Sequence, residues 1–422
     1  MLTIRRVYLY LVAAISLIGL TWSVIGLGRL ILSEGIGRGQ ITGLATWLAV
    51  IIVGLPIFLF HWLLAQRLAA KDESERGSIV RRLYFYGIMA AGATPIISNL
   101  YRLVDNGLLA LLGGTHPNYY PYDLTTPELL VAIIVWGIVW GYIWRQIQLD
   151  NRLLSSGPSG EGIELGGIRR VYLLAFSLAG LAMVTWGAVG LLQVLLELSA
   201  SVVWRTPIAN NSAKLLIGGV TWVGHWYLTQ QNFFTGSPAE ERSVLRKIYL
   251  YLSVFVFSVM AVGSATNLLR RLLELALGAP LPDKPLLSLS IPFLIVGSVF
   301  WAYHWQVLRQ DASQAPEAPR QASVRRIYAY LVAAIGLAVL LSGVAGLLTT
   351  VVDLLTSPAS IGLTYYREQV SLFVAMAVVG VPIWLIPWRR LQAVALAAAP
   401  APEGSKSPAE EERRSTIRKI YL

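Results

Sequence analysis

The chain has 422 residues, 55% apolar and only 14% charged, against the roughly 25% charged residues of an ordinary soluble domain, which argues against a soluble fold. A net charge of +11 would suit nucleic acid, but the Lys and Arg residues sit in short clusters beside apolar runs and not along one amphipathic face, so the charge reads as a membrane-orientation signal and nucleic acid is set aside as a partner. There is no cysteine, so disulfides, thiolate metal sites and thiol nucleophiles are all excluded.

Apolar stretches such as 7–27 and 44–64 are long enough to cross a hydrocarbon core of about 30 Å as helix. The first unit, residues 1–77, opens on Arg5-Arg6-Val7-Tyr8, and its second apolar span carries Gly54 and closes on His61-Trp62. Its basic start imitates a signal peptide, but no small-residue cleavage site follows and the same pattern recurs downstream, so it reads as a membrane helix. The second unit, 78–165, repeats the order with Arg81-Arg82-Leu83-Tyr84, Gly137 and Trp144. The third, 166–236, has Arg169-Arg170-Val171-Tyr172, Gly218 and His225-Trp226; its second span is the least apolar, with Asn210, Asn211 and Lys214 in its outer turns. The fourth, 237–320, has Arg246-Lys247-Ile248-Tyr249, Gly297 and His304-Trp305, and the fifth, 321–406, has Arg325-Arg326-Ile327-Tyr328, Gly380 and Trp388. Residues 407–422 hold a sixth signature, Arg418-Lys419-Ile420-Tyr421, and read as the start of a further unit or as a tail.

The signature tyrosines lie 76, 88, 77, 79 and 93 residues apart, and the closing tryptophans follow their tyrosines by 54, 60, 54, 56 and 60 residues. This regularity marks tandem repeats. The expected fold is an all-α integral membrane protein of about ten transmembrane helices, arranged as five parallel tandem two-helix repeats. The Tyr-side ends and linkers hold 25 of the Lys and Arg residues and the opposite ends nine, so the positive-inside rule places both termini and all linkers in the cytoplasm of a bacterial plasma (inner) membrane. The segments at 237–240 and 407–410, both Ser-Pro-Ala-Glu, fit capping boxes. A helix running from 238 to 275 would be about 57 Å long, so it must protrude or bend at the Arg246-Lys247 pair.

The basic pair followed by Tyr, the paired spans and the His-Trp ending before a polar linker resemble an uncharacterised bacterial membrane domain, often found in tandem and catalogued as a domain of unknown function (DUF5671-like). The resemblance covers essentially the whole chain. It implies no activity, ligand or functional residue.

The residues leave several chemistries open. His61, His225 and His304 occupy one repeat position and could be axial ligands to a haem or chlorin, or a cytoplasmic-face metal site, or amphipathic residues beside interfacial tryptophans. The basic signatures could hold phosphate or anionic lipid, or anchor each helix by snorkelling Arg and interfacial Tyr; either way a weak preference for anionic lipid follows. Arg5, Arg6, Tyr8, Arg81, Arg82, Tyr84, Arg169, Arg170, Tyr172, Arg246, Lys247, Tyr249, Arg325, Arg326 and Tyr328, with Trp62, Trp144, Trp226, Trp305 and Trp388, are the expected interfacial anchors. Glu34, Asp105, Glu197, Glu274 and Asp353 recur at the opposite ends and read as solvated end-pairs. Gly54, Gly137, Gly218, Gly297 and Gly380, seven or eight residues before each Trp, are expected to admit a neighbouring helix closely. No charged residue falls near the middle of a span, and no paired-carboxylate site, nucleophile with a base, phosphate loop or metal set is recognisable. The expectation is a non-enzymatic scaffold or accessory subunit without catalytic residues, cofactor or metal, whose partners are the lipid bilayer and other membrane proteins or further copies of itself. The alternatives are a transporter or channel for an uncharged or apolar small molecule, and a haem- or chlorin-binding protein.

Overall fold

The computed structural model describes residues 2–32, 38–115, 124–155, 163–197, 204–235, 243–279, 286–314, 319–356, 362–397 and 408–422. Among them there is no strand. The helices are α1 (Leu2–Leu32), α2 (Arg38–Lys71), α3 (Glu73–Arg76), α4 (Ile79–Leu111), α5 (Thr126–Ser155), α6 (Ile163–Glu197), α7 (Arg205–Thr235), α8 (Val244–Ala276), α9 (Leu286–Gln314), α10 (Pro319–Thr356), α11 (Leu363–Leu396), α12 (Pro408–Arg414) and α13 (Thr416–Tyr421). All but α3, α12 and α13 are 29 to 38 residues long, about 44 to 57 Å at the helical rise.

Eight of these helices are long and apolar enough to cross a membrane, and the chain is a helical membrane protein. The two that fall short are α4 and α7. Asn210, Asn211 and Lys214 lower the apolar character of α7, as its sequence foretells. For α4 the sequence gives less warning: its polar groups include Arg81, Arg82, Asn99 and Asp105, all buried against other helices. A helix lined by protein does not need the hydropathy of one lined by lipid.

Contacts divide the chain into two bodies, Met1–Gly187 with Val203–Thr235, and Ala188–Val202 with Gly236–Leu422. In the first, α1 pairs with α2 and α4 with α5, while α1 also lies against α4 and α5, and α4 against α7. In the second, α8 pairs with α9 and α10 with α11, while α8 also lies against α10 and α11. Within each body the first helix of a hairpin therefore touches both helices of a following one or its second helix alone. Consecutive hairpins interlock and do not merely abut.

A serine precedes three of the helix starts, and at Ser78 its side chain makes the cap. Ser78, Ser243 and Ser415 each precede a helix with extended-type ψ values of 140°, 116° and 126°, three residues before the first basic residue of a signature. Ser78 Oγ accepts from the Arg81 amide at 3.3 Å, occupying an otherwise orphaned donor. Ser243 is extended and α8 begins at Val244, so no continuous helix runs from 238 through the Arg246-Lys247 pair. The Ser-Pro-Ala-Glu box at 237–240, with Glu34 and Lys284, lies outside the described residues.

Candidate functional site

The signature residues meet at the junctions between hairpins. Arg81, 1% exposed, gives Nε and Nη2 to the two carboxylate oxygens of Asp150 at 2.6 and 3.2 Å. It also donates from Nη1 to the Tyr10 hydroxyl at 2.9 Å and from Nη2 to Gln66 Oε1 at 3.0 Å, with its guanidinium 4.7 Å from the Phe85 ring centre. One cation thus ties α1, α2, α4 and α5 together. Burying it is tolerable because a charge partner and neutral acceptors surround the guanidinium.

The second body repeats this chemistry. Arg246 pairs with both oxygens of buried Asp311 at 2.9 Å each, and Lys247 lies 3.6 Å from the same carboxylate. Asp150 and Asp311 each stand six residues after the closing Trp of their unit. At the first and fifth signatures the acid comes from the following linker: Glu75 accepts from Arg5 and, at 2.8 Å, from Arg6, while Glu412 lies 3.0 Å from Arg326. Both glutamates precede the next signature by six residues.

Aromatic rings close the same seams. Tyr84 packs on Trp62 at 5.5 Å and on Tyr10 at 5.3 Å. Tyr421 packs on Trp388 and on Tyr330, both at 5.2 Å, and Arg418 reaches Gln392 Oε1 at 2.9 Å and the Tyr330 hydroxyl at 3.4 Å. The short helix α13 therefore makes the contacts on the fifth hairpin that the start of α4 makes on the first.

This differs from the snorkelling arrangement expected of the anchors. Arg81, Arg82, Arg246 and Lys247 are buried, as are Tyr84, Tyr172, Tyr249, Trp62 and Trp226. On neighbouring helices Arg81, Arg246 and Lys247 find a carboxylate and Tyr84, Tyr172, Tyr249 and Trp62 find rings, which lipid cannot offer, whereas Nε and Nη2 of Arg82 are buried without a hydrogen-bond partner among the described residues. Tyr8, at 57% exposure, and Trp144, at 37%, remain open to the surroundings. Two of the opposite-end acids also differ from solvated pairs: Glu274 is 1% exposed and takes Arg270 and Arg271 at 2.7 Å each, and Asp105 is buried.

The three histidines share one geometry. Nδ1 of His61, His225 and His304 donates to the carbonyl four residues earlier, at 2.8 Å in each case. Each ring lies against the signature tyrosine of its own unit, Tyr8, Tyr172 or Tyr249, at 5.5, 5.7 and 5.9 Å. Phe176 and Phe257 stack on His225 and His304.

Four of the five glycines lie close to the partner helix of their hairpin. A Cβ at Gly218 would sit 2.5 Å from Met183 Cβ, at Gly380 2.6 Å from the Leu340 amide nitrogen, at Gly297 3.0 Å from that of Ala261, and at Gly54 3.4 Å from Leu20. Gly137 has nothing within 4 Å and is not a close-approach position. Gly180 and Gly336 make reciprocal approaches from the first helices, where a Cβ would sit 2.4 Å from the backbone nitrogens of Trp222 and Trp384.

The second body also holds a groove of about 760 Å³ between its two hairpins, with Trp301, Trp305, Arg309 and Arg390 among its lining residues. Sequence inspection missed it, because none of these residues is unusual on its own helix.

A family model described as a domain of unknown function (DUF5671) matches residues 6–142, 170–289 and 326–422. The chain belongs to the DUF5671 family. Each DUF5671 match begins at the second basic residue of an odd-numbered signature, Arg6, Arg170 or Arg326, and the even-numbered signatures lie inside the matches. The DUF5671 unit thus spans more than one hairpin, in keeping with a linker glutamate as arginine partner at the first and fifth signatures and a Trp-plus-six aspartate at the second and fourth. No curated protein and no solved structure matches the chain.

Proposed function

We propose that this DUF5671 protein is a non-enzymatic scaffold or accessory subunit of a bacterial inner-membrane assembly. In this reading it crosses the bilayer ten times as five parallel hairpins, with both termini and the linkers in the cytoplasm. One observation carries it: signature residues engage the hairpin that precedes them, Arg81 through Tyr10 and Gln66, Tyr84 through Trp62 and Tyr421 through Trp388. The fifth signature and Trp305 also line the groove of the second body, whereas a catalytic or ion-coupled site would gather such groups from several repeats around one cavity. Helices α4 and α7 can cross with fewer apolar residues because they pack on each other, and α4 also on α1 and α5. The implied partners are the bilayer, with a weak preference for anionic lipid, and other membrane proteins or further copies of the chain.

Solubilisation of the tagged full-length protein from its native membrane should yield a stoichiometric membrane-protein partner or a homo-oligomer. A monodisperse monomer that catalyses uptake in liposomes would overturn the reading and favour a carrier for an uncharged or apolar small molecule. The haem or chlorin alternative has a separate test. The purified protein should show no Soret or chlorin band, and a band abolished by His225→Gln or His304→Gln would reinstate that function.

A further inference from the structure

The groove of the second body joins two chemistries. Its depth is apolar, formed by Ala261 and Val262 of α8, Trp301 of α9, Val332 of α10 and Ile383 of α11. Trp301 and Trp305 stack nearly parallel, 6.1 Å apart and 11° between planes, and make a flat wall along it. Toward the signature end the lining becomes basic, with Arg309, Arg325, Arg326 and Arg390.

The one carboxylate in this lining, Glu412, is already engaged: it lies 3.0 Å from Arg326 and accepts from the Tyr330 hydroxyl at 2.6 Å. Arg309 and Arg390 are both exposed. Arg309 lies over the Trp305 ring at 5.7 Å, and among the described residues no carboxylate pairs with either arginine. All four helices of the groove are apolar enough to cross a membrane, so the apolar part lies at hydrocarbon depth and the arginines beyond the closing Trp at headgroup level. An uncharged apolar compound would leave the arginines unused, and a small inorganic anion would leave the groove unused. A volume of about 760 Å³ is within the range of specific small-molecule sites.

We propose that this groove is a binding site for an anionic phospholipid of the surrounding bilayer, with an acyl chain along the Trp301 and Val332 walls and the phosphate against Arg309 and Arg390. The assignment goes beyond the scaffold reading and stands or falls separately from it, since it requires no protein partner. A bound lipid would fill the groove between the hairpins of the second body and bring an anion to Arg309 and Arg390.

The test uses the full-length protein in nanodiscs of equimolar phosphatidylglycerol and phosphatidylcholine, released into detergent and weighed by native mass spectrometry. Wild-type protein should retain about one phosphatidylglycerol per chain. The Arg309→Gln/Arg390→Gln variant should lower the retained phosphatidylglycerol-to-phosphatidylcholine ratio by roughly fivefold for each arginine. Ser298→Phe, which puts a ring into the groove from an exposed position, should reduce retention of both lipids. Arg67→Gln/Arg145→Gln removes two exposed arginines from the first body and should leave the ratio unchanged. Equal losses in the two arginine double variants would show general surface attraction and overturn the site, as would retention of no lipid by the wild type or capture of a partner helix in the groove. Because Arg309 and Arg390 are exposed, their replacement tests the site even if Ser298→Phe fails to fold.

Discussion

Arg81 and Asp150, one from the start of α4 and the other from the end of α5, form a two-pronged ion pair with side chains 1% and 6% exposed. Removing one partner from such a pair leaves a buried charge without its counter-ion, the costliest way to alter it. Asp150→Ala is expected to destabilise the protein by about 3 to 5 kcal/mol, read as a loss of melting temperature in detergent. Arg81→Met combined with Asp150→Leu should recover most of that loss. A double variant as unstable as the single one would mean that the Tyr10 and Gln66 contacts, and not the ion pair, hold the junction.

The glycines provide a graded series. Gly218→Leu and Gly297→Leu push a side chain into the backbone of the facing helix and should cost on the order of 1 to 3 kcal/mol through overpacking. Gly137→Leu, with open space around it, should be close to neutral. The same melting assay ranks the three, and a Gly137→Leu effect as large as that of Gly218→Leu would contradict the packing described.

Asp72 caps α3, accepting from the Ser74 amide at 2.8 Å and from the Ser74 hydroxyl at 3.0 Å. The amide bond above all, then the hydroxyl, holds its carboxyl below the usual value. A lowered folded-state pKa means that the cap contributes fully above the unfolded value near 3.9 and loses its contribution as pH falls through the folded value. Amide exchange over residues 73–77 should therefore stay slow from pH 7 to about pH 4 and quicken below it, after correction for the intrinsic pH dependence of exchange. In Asp72→Asn that acid-dependent loss should be absent.

Topology can be read with reporter fusions. Fusions after Glu73, Gly160, Gly236 and Gln314 should all report cytoplasmic, and those after Asn118 and Pro358 external. Opposite results at Gly160 and Gly236 would remove α7 as a span, and opposite results at Glu73 and Asn118 are required if α4 crosses.

Much of this protein is legible from sequence alone. Its class, its long helices and its sixfold signature follow from runs of apolar residues and short motifs, which are local properties of the chain. Ser78, Ser243 and Ser415 at fixed distance from the signatures even mark where helices restart. What each side chain faces was decided by the tertiary structure. In a soluble helix the apolar stripe announces the buried side, but a helix in lipid is apolar on both its lipid face and its packing face, so composition carries little information about rotation. Hence Tyr8 points outward while Tyr84, Tyr172 and Tyr249, at the same motif position, are buried. For the same reason Asp150 and Asp311 gave no sign in sequence of being the partners of Arg81 and Arg246, and the groove beside Trp301 exists only because two hairpins stand side by side.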